Sequence, residues 1–352
     1  MTRAVLHIGI DAAGGCALQA ALGRRPGVSG AGGEFAFAVL REDGTVLGGD
    51  ELRRQASLSG EGCAGTASAS KLAALPRERL REAGSRLREL ASGQGGIILS
   101  SESWFAAGAT FMEQELLPAL GLEARAVLYL PPPPSFVNAA WWQRGAWQEL
   151  PLEDWITGLL GEMSWAAMAR QWRAVPGVHT VAVRLAPPDI VADFSAMLGV
   201  EAGALGDPGA ARCALPATIL RILQRHRELR PGANGAGQDH VLARRLGEFP
   251  EKPPWVLDRG MVERIVDATR QSSLEIREML DAGSRQAMDA DARWWSASAY
   301  ADRRVEPWQP CAPDVQMLDA VLARALEVIG TLEAENRQLR SAHDEHAARL
   351  QP

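Results

Sequence analysis

Apolar residues recur along this chain in two rhythms. Short runs over residues 4–8, 35–40, 97–99, 125–130 and 178–185 predict strands, and the first has no polar alternation, as a buried parallel strand requires. Between them the spacing changes to that of helices. After Pro76, Leu80, Ala83, Leu87 and Leu90 recur among Arg and Glu. Similar patterns predict helices over 136–143, 152–160, 164–173, 215–229, 239–246 and 258–280, several of them bounded by Gly or Pro-Pro breaks. Asp43-Gly44 marks a turn or hairpin, and Pro131 to Pro134 mark a rigid extended connector. Strands alternating with helices predict an α/β fold, a parallel sheet with flanking helices, followed by a helical C-terminal part. The organisation expected is an α/β domain over 1–280, an irregular linker over 281–313 and a coiled-coil-like helix over 314–345.

That last helix has its own pattern. Leu318, Leu322, Ala325, Ile329, Leu332, Asn336 and Leu339 follow a 4-3 spacing for about three heptads. With Leu332 and Leu339 at d, Asn336 falls at a, where it favours a parallel two-stranded coil, and Glu335 at g faces Arg340 at e of a partner. The expectation is a homodimer through residues 318–339; packing of this helix on its own domain is the alternative.

Composition narrows the chemistry. The chain has 352 residues and a formal net charge of −6, so there is no basic field for nucleic acid. Lys occurs only at 71 and 252. Cys16, Cys63, Cys213 and Cys311 have neither metal-ligand spacing nor a disulfide framework, which points to no metal and to a reducing cytoplasm. No apolar run approaches the roughly 18 to 20 residues of a membrane span.

The informative chemistry lies at two strand ends. After the first strand the chain turns through Gly9, Asp11, Gly14 and Gly15 into a helix carrying Cys16 and Leu18. In such a turn backbone N–H groups and the helix dipole can hold a phosphate, although the Lys-[Ser/Thr] pair of a phosphate loop is missing. An ordinary tight strand–helix turn reads the same way. At the end of the 97–99 strand stand Ser100, Ser101 and Glu102, at the sheet edge where ligands bind in open parallel sheets. Glu102 is either a base for an acceptor hydroxyl or a carboxylate favouring the start of the next helix. The six tryptophans from Trp141 to Trp172 read as core filler or as a stacking surface, and His179 as a satisfied structural histidine.

The run His7-Ile-Gly-Ile-Asp-Ala-Ala-Gly-Gly-Cys-Ala-Leu-Gln19 resembles the opening of bacterial sulfotransferase-like proteins, His-Ile-Gly-x-Pro-Lys-Thr-Gly-Thr-Thr-x-Leu-Gln. His7, Ile8, Gly9, Gly14, Leu18 and Gln19 match. The family's Lys falls on Ala12, and its Thr residues on Ala13, Gly15 and Cys16. Leu99-Ser-Ser-Glu102 matches the family's second strand end residue for residue. The resemblance implies a sulfotransferase fold, 3′-phosphoadenylyl sulfate as cofactor and a loop made by Gly9, Ala12, Ala13, Gly14, Gly15, Cys16 and Gln19, with Ser101 beside it and Glu102 as the catalytic carboxylate. It also implies an Arg and a Ser for the 3′-phosphate, which here are Pro131 and Ala139; Arg144, beside the family's recurrent Gln at 143, is the replacement cation considered, with Arg212 a second. Two expectations follow from the resemblance. One is a decayed cofactor site on a binding or assembly module. The alternative is an active sulfotransferase with relocated cations.

Overall fold

The structure, a computed structural model, describes residues 1–10, 14–58, 65–91, 95–201, 203–205, 215–230, 236–247 and 251–350. Five strands form a parallel sheet in the order β3-β5-β1-β6-β7. β1 (Thr2–Ile8) is central and leads into helix α1 (Gly15–Arg24), then β2 (Gly27–Gly30), β3 (Gly33–Leu40) and β4 (Val46–Gly48). β2 and β4 both pair antiparallel with β3. α2 (Gly49–Leu58), α3 (Ala69–Ala73) and α4 (Arg77–Leu90) lead back to β5 (Gly96–Ser101). α5 (Gly108–Glu113) and α6 (Leu116–Leu120) precede β6 (Leu122–Leu130); α7 (Pro133–Gln143), α8 (Leu152–Glu162) and α9 (Trp165–Ala174) precede β7 (Val178–Leu185). The C-terminal helices are α10 (Ile190–Leu198), α11 (Ala217–Arg225), α12 (Ala236–Leu246), α13 (Arg259–Met279), α14 (Ala282–Ala290) and α15 (Val315–Leu350).

β1 is buried along nearly its whole length because it has a strand on each side and helices on both faces, which is why its apolar run lacks alternation. The Asp43-Gly44 turn lies between β3 and β4. Gly44 adopts φ 86°, and Asp43 Oδ1 accepts from the Thr45 amide at 2.8 Å. The six tryptophans from Trp141 to Trp172 are all buried, several packed edge to face, and fill the space between the sheet and the C-terminal helices.

Three expectations need correction. The 131–134 prolines do not make an extended connector throughout, because α7 starts at Pro133. Two prolines in the first helical turn cost nothing, since those N–H groups have no intrahelical acceptor. Residues 281–313 contain α14 and two short 3₁₀ turns, and they bury Met288, Trp294 and Tyr300. His179 is not an internal histidine. It is exposed at the start of the edge strand β7, with Nε2 3.5 Å from Glu123.

α15 packs partly on its own domain. Val321 is buried, Ala325 and Val328 lie against the core, and Arg324 Nε donates to the Leu246 carbonyl at 3.0 Å. This contact face is displaced from the predicted stripe and shares only Ala325 with it.

Candidate functional site

The two strand ends singled out from sequence are neighbours. β1 and β5 pair in register through Ile8 and Ser101, and the Gly9 amide donates to the Ser101 carbonyl at 3.0 Å. Residues 93 apart in the chain thus meet at one sheet edge. Gly14 stands at φ 83° as the residue before α1 and gives that helix no side-chain cap; its αL conformation is what Gly permits there at no steric cost. Of the turn itself, Asp11, Ala12 and Ala13 lie outside the described residues, as does Arg212.

Glu102 opens a short 3₁₀ turn (Glu102–Trp104), and its side chain reaches across to the start of α1. A Cβ on Gly15 would overlap Glu102 Oε1, and one on Gly9 would lie 3.1–3.2 Å from the Glu102 backbone and side chain. Gly15 leaves the space this side chain occupies, and Gly9 is in tight contact with it. A carboxylate at the N-terminus of α1 meets the positive end of the helix dipole, so it favours the neighbouring helix as well as its own turn. Cys16 Sγ is 3.2 Å from Glu102 Oε1. Cys16 is disulfide-bonded; a disulfide sulfur carries no proton, so the approach to Glu102 is a contact only. The chain's cysteines are thus not all free thiols, so their spacing no longer argues for a reducing compartment.

Beneath the edge lies a polar cluster that sequence reasoning passed over. His7 Nδ1 is 2.8 Å from Ser100 Oγ, which accepts from Gln19 Nε2 at 3.1 Å; all three residues are buried. Gln19 therefore belongs to the support of the turn. Ser101 Oγ is 2.9 Å from Ser103 Oγ. His7 Nε2 is buried without a hydrogen-bond partner, and burial holds the imidazole down at about 4 from its ordinary 6.5. Because the folded value lies below the unfolded one, the stability this neutral His preserves is complete above pH 6.5. It is lost as pH falls toward 4, by about 3 kcal/mol in all at 1.36 kcal/mol per unit. The stability difference between wild type and His7→Asn should accordingly change by that amount between pH 6.5 and 4 in urea unfolding. Parallel pH curves for the two proteins would disprove the assignment. The available signal was a single His inside an otherwise apolar strand.

On the other side of β1, Tyr129 Oη donates to Asp193 Oδ1 at 2.7 Å, and Arg184 binds the same carboxylate through both oxygens at 2.6 and 2.7 Å. Burial opposes ionisation of Asp193, but the hydrogen bonds from Arg184 and Tyr129 outweigh it and hold the carboxyl below its ordinary value. Burial, followed by the hydrogen bond to Asp193, pushes the Tyr129 phenol well above its usual range. Arg184, a cation near the ligand-binding edge, is thus committed to Asp193. Arg144 is exposed at the far end of α7, about 16 Å along the helix axis from its first turn at 1.5 Å per residue.

Among the described residues no group of three or more His, Cys, Asp or Glu could hold a metal ion, and no helix is long and apolar enough to cross a membrane. A cavity of about 650 Å³ lies at the opposite end of the strands, beside Arg3, Glu123 and His179, away from Gly9 and Glu102.

No protein-family model matches this chain, and no curated protein matches it. Among solved structures, it is similar to the crystal structure of a sulfotransferase from Alicyclobacillus acidocaldarius. The two are 13% identical, with 80% of this chain and 98% of that one covered, at a TM-score of 0.39. No residue role is carried over from that likeness.

Proposed function

We propose that this chain is a sulfotransferase-like protein whose cofactor site has decayed, and that it works as a binding or assembly module instead of transferring sulfuryl groups. The observation that carries the reading is the set of residues at the positions the resemblance gives to the cofactor: Ala12 brings no cation, and Pro131 and Ala139 stand where an Arg and a Ser would grip the 3′-phosphate of 3′-phosphoadenylyl sulfate. The Glu102 carboxylate against Gly15 at the N-terminus of α1 does not separate the two readings, because the resemblance places a Glu there in the family as well. Each charge-assisted hydrogen bond to phosphate is worth roughly 1.5 to 3 kcal/mol, so their joint loss weakens binding on the order of 10³-fold or more. Relocated cations gain no support from Arg184, which is held by Asp193. The support for the family itself is the pairing of its two matching segments on adjacent strands.

Titration calorimetry of the full chain with adenosine 3′,5′-bisphosphate should show no binding at micromolar concentrations. Ala12→Lys combined with Pro131→Arg and Ala139→Ser should restore it in part. Micromolar affinity in the wild type, abolished by Arg144→Ala, would replace this reading with an active site built on a relocated cation. The assembly side of the proposal is a parallel homodimer through α15.

A further inference from the structure

We propose that the cleft between α7, α11 and the segment 252–255 is a binding site for a small organic anion with an apolar body. The cleft encloses about 320 Å³, at the lower end of the roughly 300–1,000 Å³ typical of small-molecule sites. Its walls are preformed. Asn138 Nδ2 donates to the Pro254 carbonyl at 3.1 Å, and Trp142 Nε1 donates to the same oxygen at 2.7 Å. The Val256 amide donates to Asn138 Oδ1 at 2.9 Å, so the segment is clamped to α7 from both sides. Trp255 is stacked on Tyr300 with centroids 5.0 Å apart. A ligand entering this space has little protein to order, which lowers the cost of binding.

Its lining specifies the chemistry. Ala139, Leu220 and the indoles of Trp142 and Trp255 give an apolar interior. Lys252 and Arg303 line the cleft, both exposed, and neither has a carboxylate partner among the described residues; Arg303 lies only over the Trp255 ring, 5.5 Å from its centroid. Of the chain's two lysines, Lys71 is 3.4 Å from Glu42 while Lys252 faces this cleft. Asp239, the acid in the lining, is already neutralised by Arg230 at 2.7 Å and 2.8 Å. The local field therefore favours a negative ligand. The cleft lies apart from the β1–α1 turn but includes Ala139, which the resemblance sets at the cofactor's 3′-phosphate, so the test below includes the nucleotide as a competitor.

The probe is 8-anilinonaphthalene-1-sulfonate, which carries two ring systems, an N–H and one negative charge. Its neutral counterpart is N-phenyl-1-naphthylamine. Fluorescence titration of the full chain should give saturable binding of both at one site. Ala139→Phe, filling the cleft, should abolish both. Removing the cations with Lys252→Ala and Arg303→Ala should weaken the sulfonate at least about tenfold and leave the neutral probe unchanged. Circular dichroism and the melting midpoint check folding of each variant, and Leu220→Trp fills the cleft from the opposite wall if Ala139→Phe does not fold. The proposal is overturned by absence of saturable binding, by binding indifferent to both filling variants, or by equal responses of the two probes to loss of the cations. Displacement of the sulfonate by adenosine 3′,5′-bisphosphate would overturn it in favour of a nucleotide site.

Discussion

Arg230→Met should destabilise the protein by about 3–5 kcal/mol, the usual cost of breaking a buried ion pair by removing one partner. Arg230 has no exposed side-chain surface. It binds both oxygens of Asp239 at 2.7–2.8 Å, donates to the Gln143 carbonyl at 3.1 Å and lies 4.1 Å from the centroid of the Trp147 ring. Replacing the guanidinium leaves the Asp239 carboxylate in a nearly dry environment with its charge unpaired. It also unties the end of α11 and its following turn from α7 and α12. The melting midpoint should fall by about 5 °C. The matched variant Arg230→Met with Asp239→Leu removes both charges and should recover most of the loss, since a well-packed apolar replacement of a buried pair is often neutral. A double-mutant cycle in urea decides it: additive single and double effects would mean that the pair is not coupled. The same pair neutralises the acid in the cleft, so the matched variant should keep binding the sulfonate probe.

Much of the sheet was legible because strands buried on both sides carry their signal locally. The 4–8, 97–99, 125–130 and 178–185 runs all lie inside observed strands, and the two matching segments begin in β1 and β5. What sequence could not supply is which distant residues satisfy one another. Arg230 and Asp239 are nine residues apart on different elements, and nothing in either neighbourhood marks them as buried partners. Ser100 is 93 residues from His7 and 81 from Gln19; the β1–β5 register sets it beside His7, and α1 brings Gln19 to it. Glu102 was legible as a strand-end carboxylate. Its placement over α1 depends on the absence of a Cβ at Gly15, a tertiary constraint invisible in the spacing. His179 failed for the opposite reason: period-two alternation marks a half-buried strand but does not say that β7 lies at the sheet edge.

The full chain should be a dimer at micromolar concentration, and charges placed on the outer stripe of α15 should make it monomeric. The helix uses one face for its own domain through Val321, Ala325 and Val328. Apart from Ala325, the stripe from Leu318 to Leu339 points elsewhere: Leu322 is 56% exposed, Ile329 61% and Leu339 71%. A lone helix in water would leave these side chains hydrated, whereas two copies side by side bury them as a and d residues. Asn336, also exposed, falls at a, where pairing with its counterpart fixes a parallel register. One expected contact is altered. Glu335 pairs with Arg245 of its own domain at 3.0 Å, which competes with a cross-pair to Arg340 of a second copy. Exposed pairs of this kind contribute about 0–1 kcal/mol, so the apolar stripe decides association. Cutting the chain after Asp314 would also remove Val321 and the Arg324 bond to Leu246, so substitutions that spare the domain contact make the cleaner test. Leu322→Glu with Ile329→Glu should halve the mass measured by light scattering and leave the melting midpoint at dilute, monomeric concentrations unchanged. Asn336→Leu should tighten association while loosening the preference for two chains over three or more. A wild-type monomer mass at micromolar concentration, or a dimer indifferent to both charges, would refute assembly through this stripe.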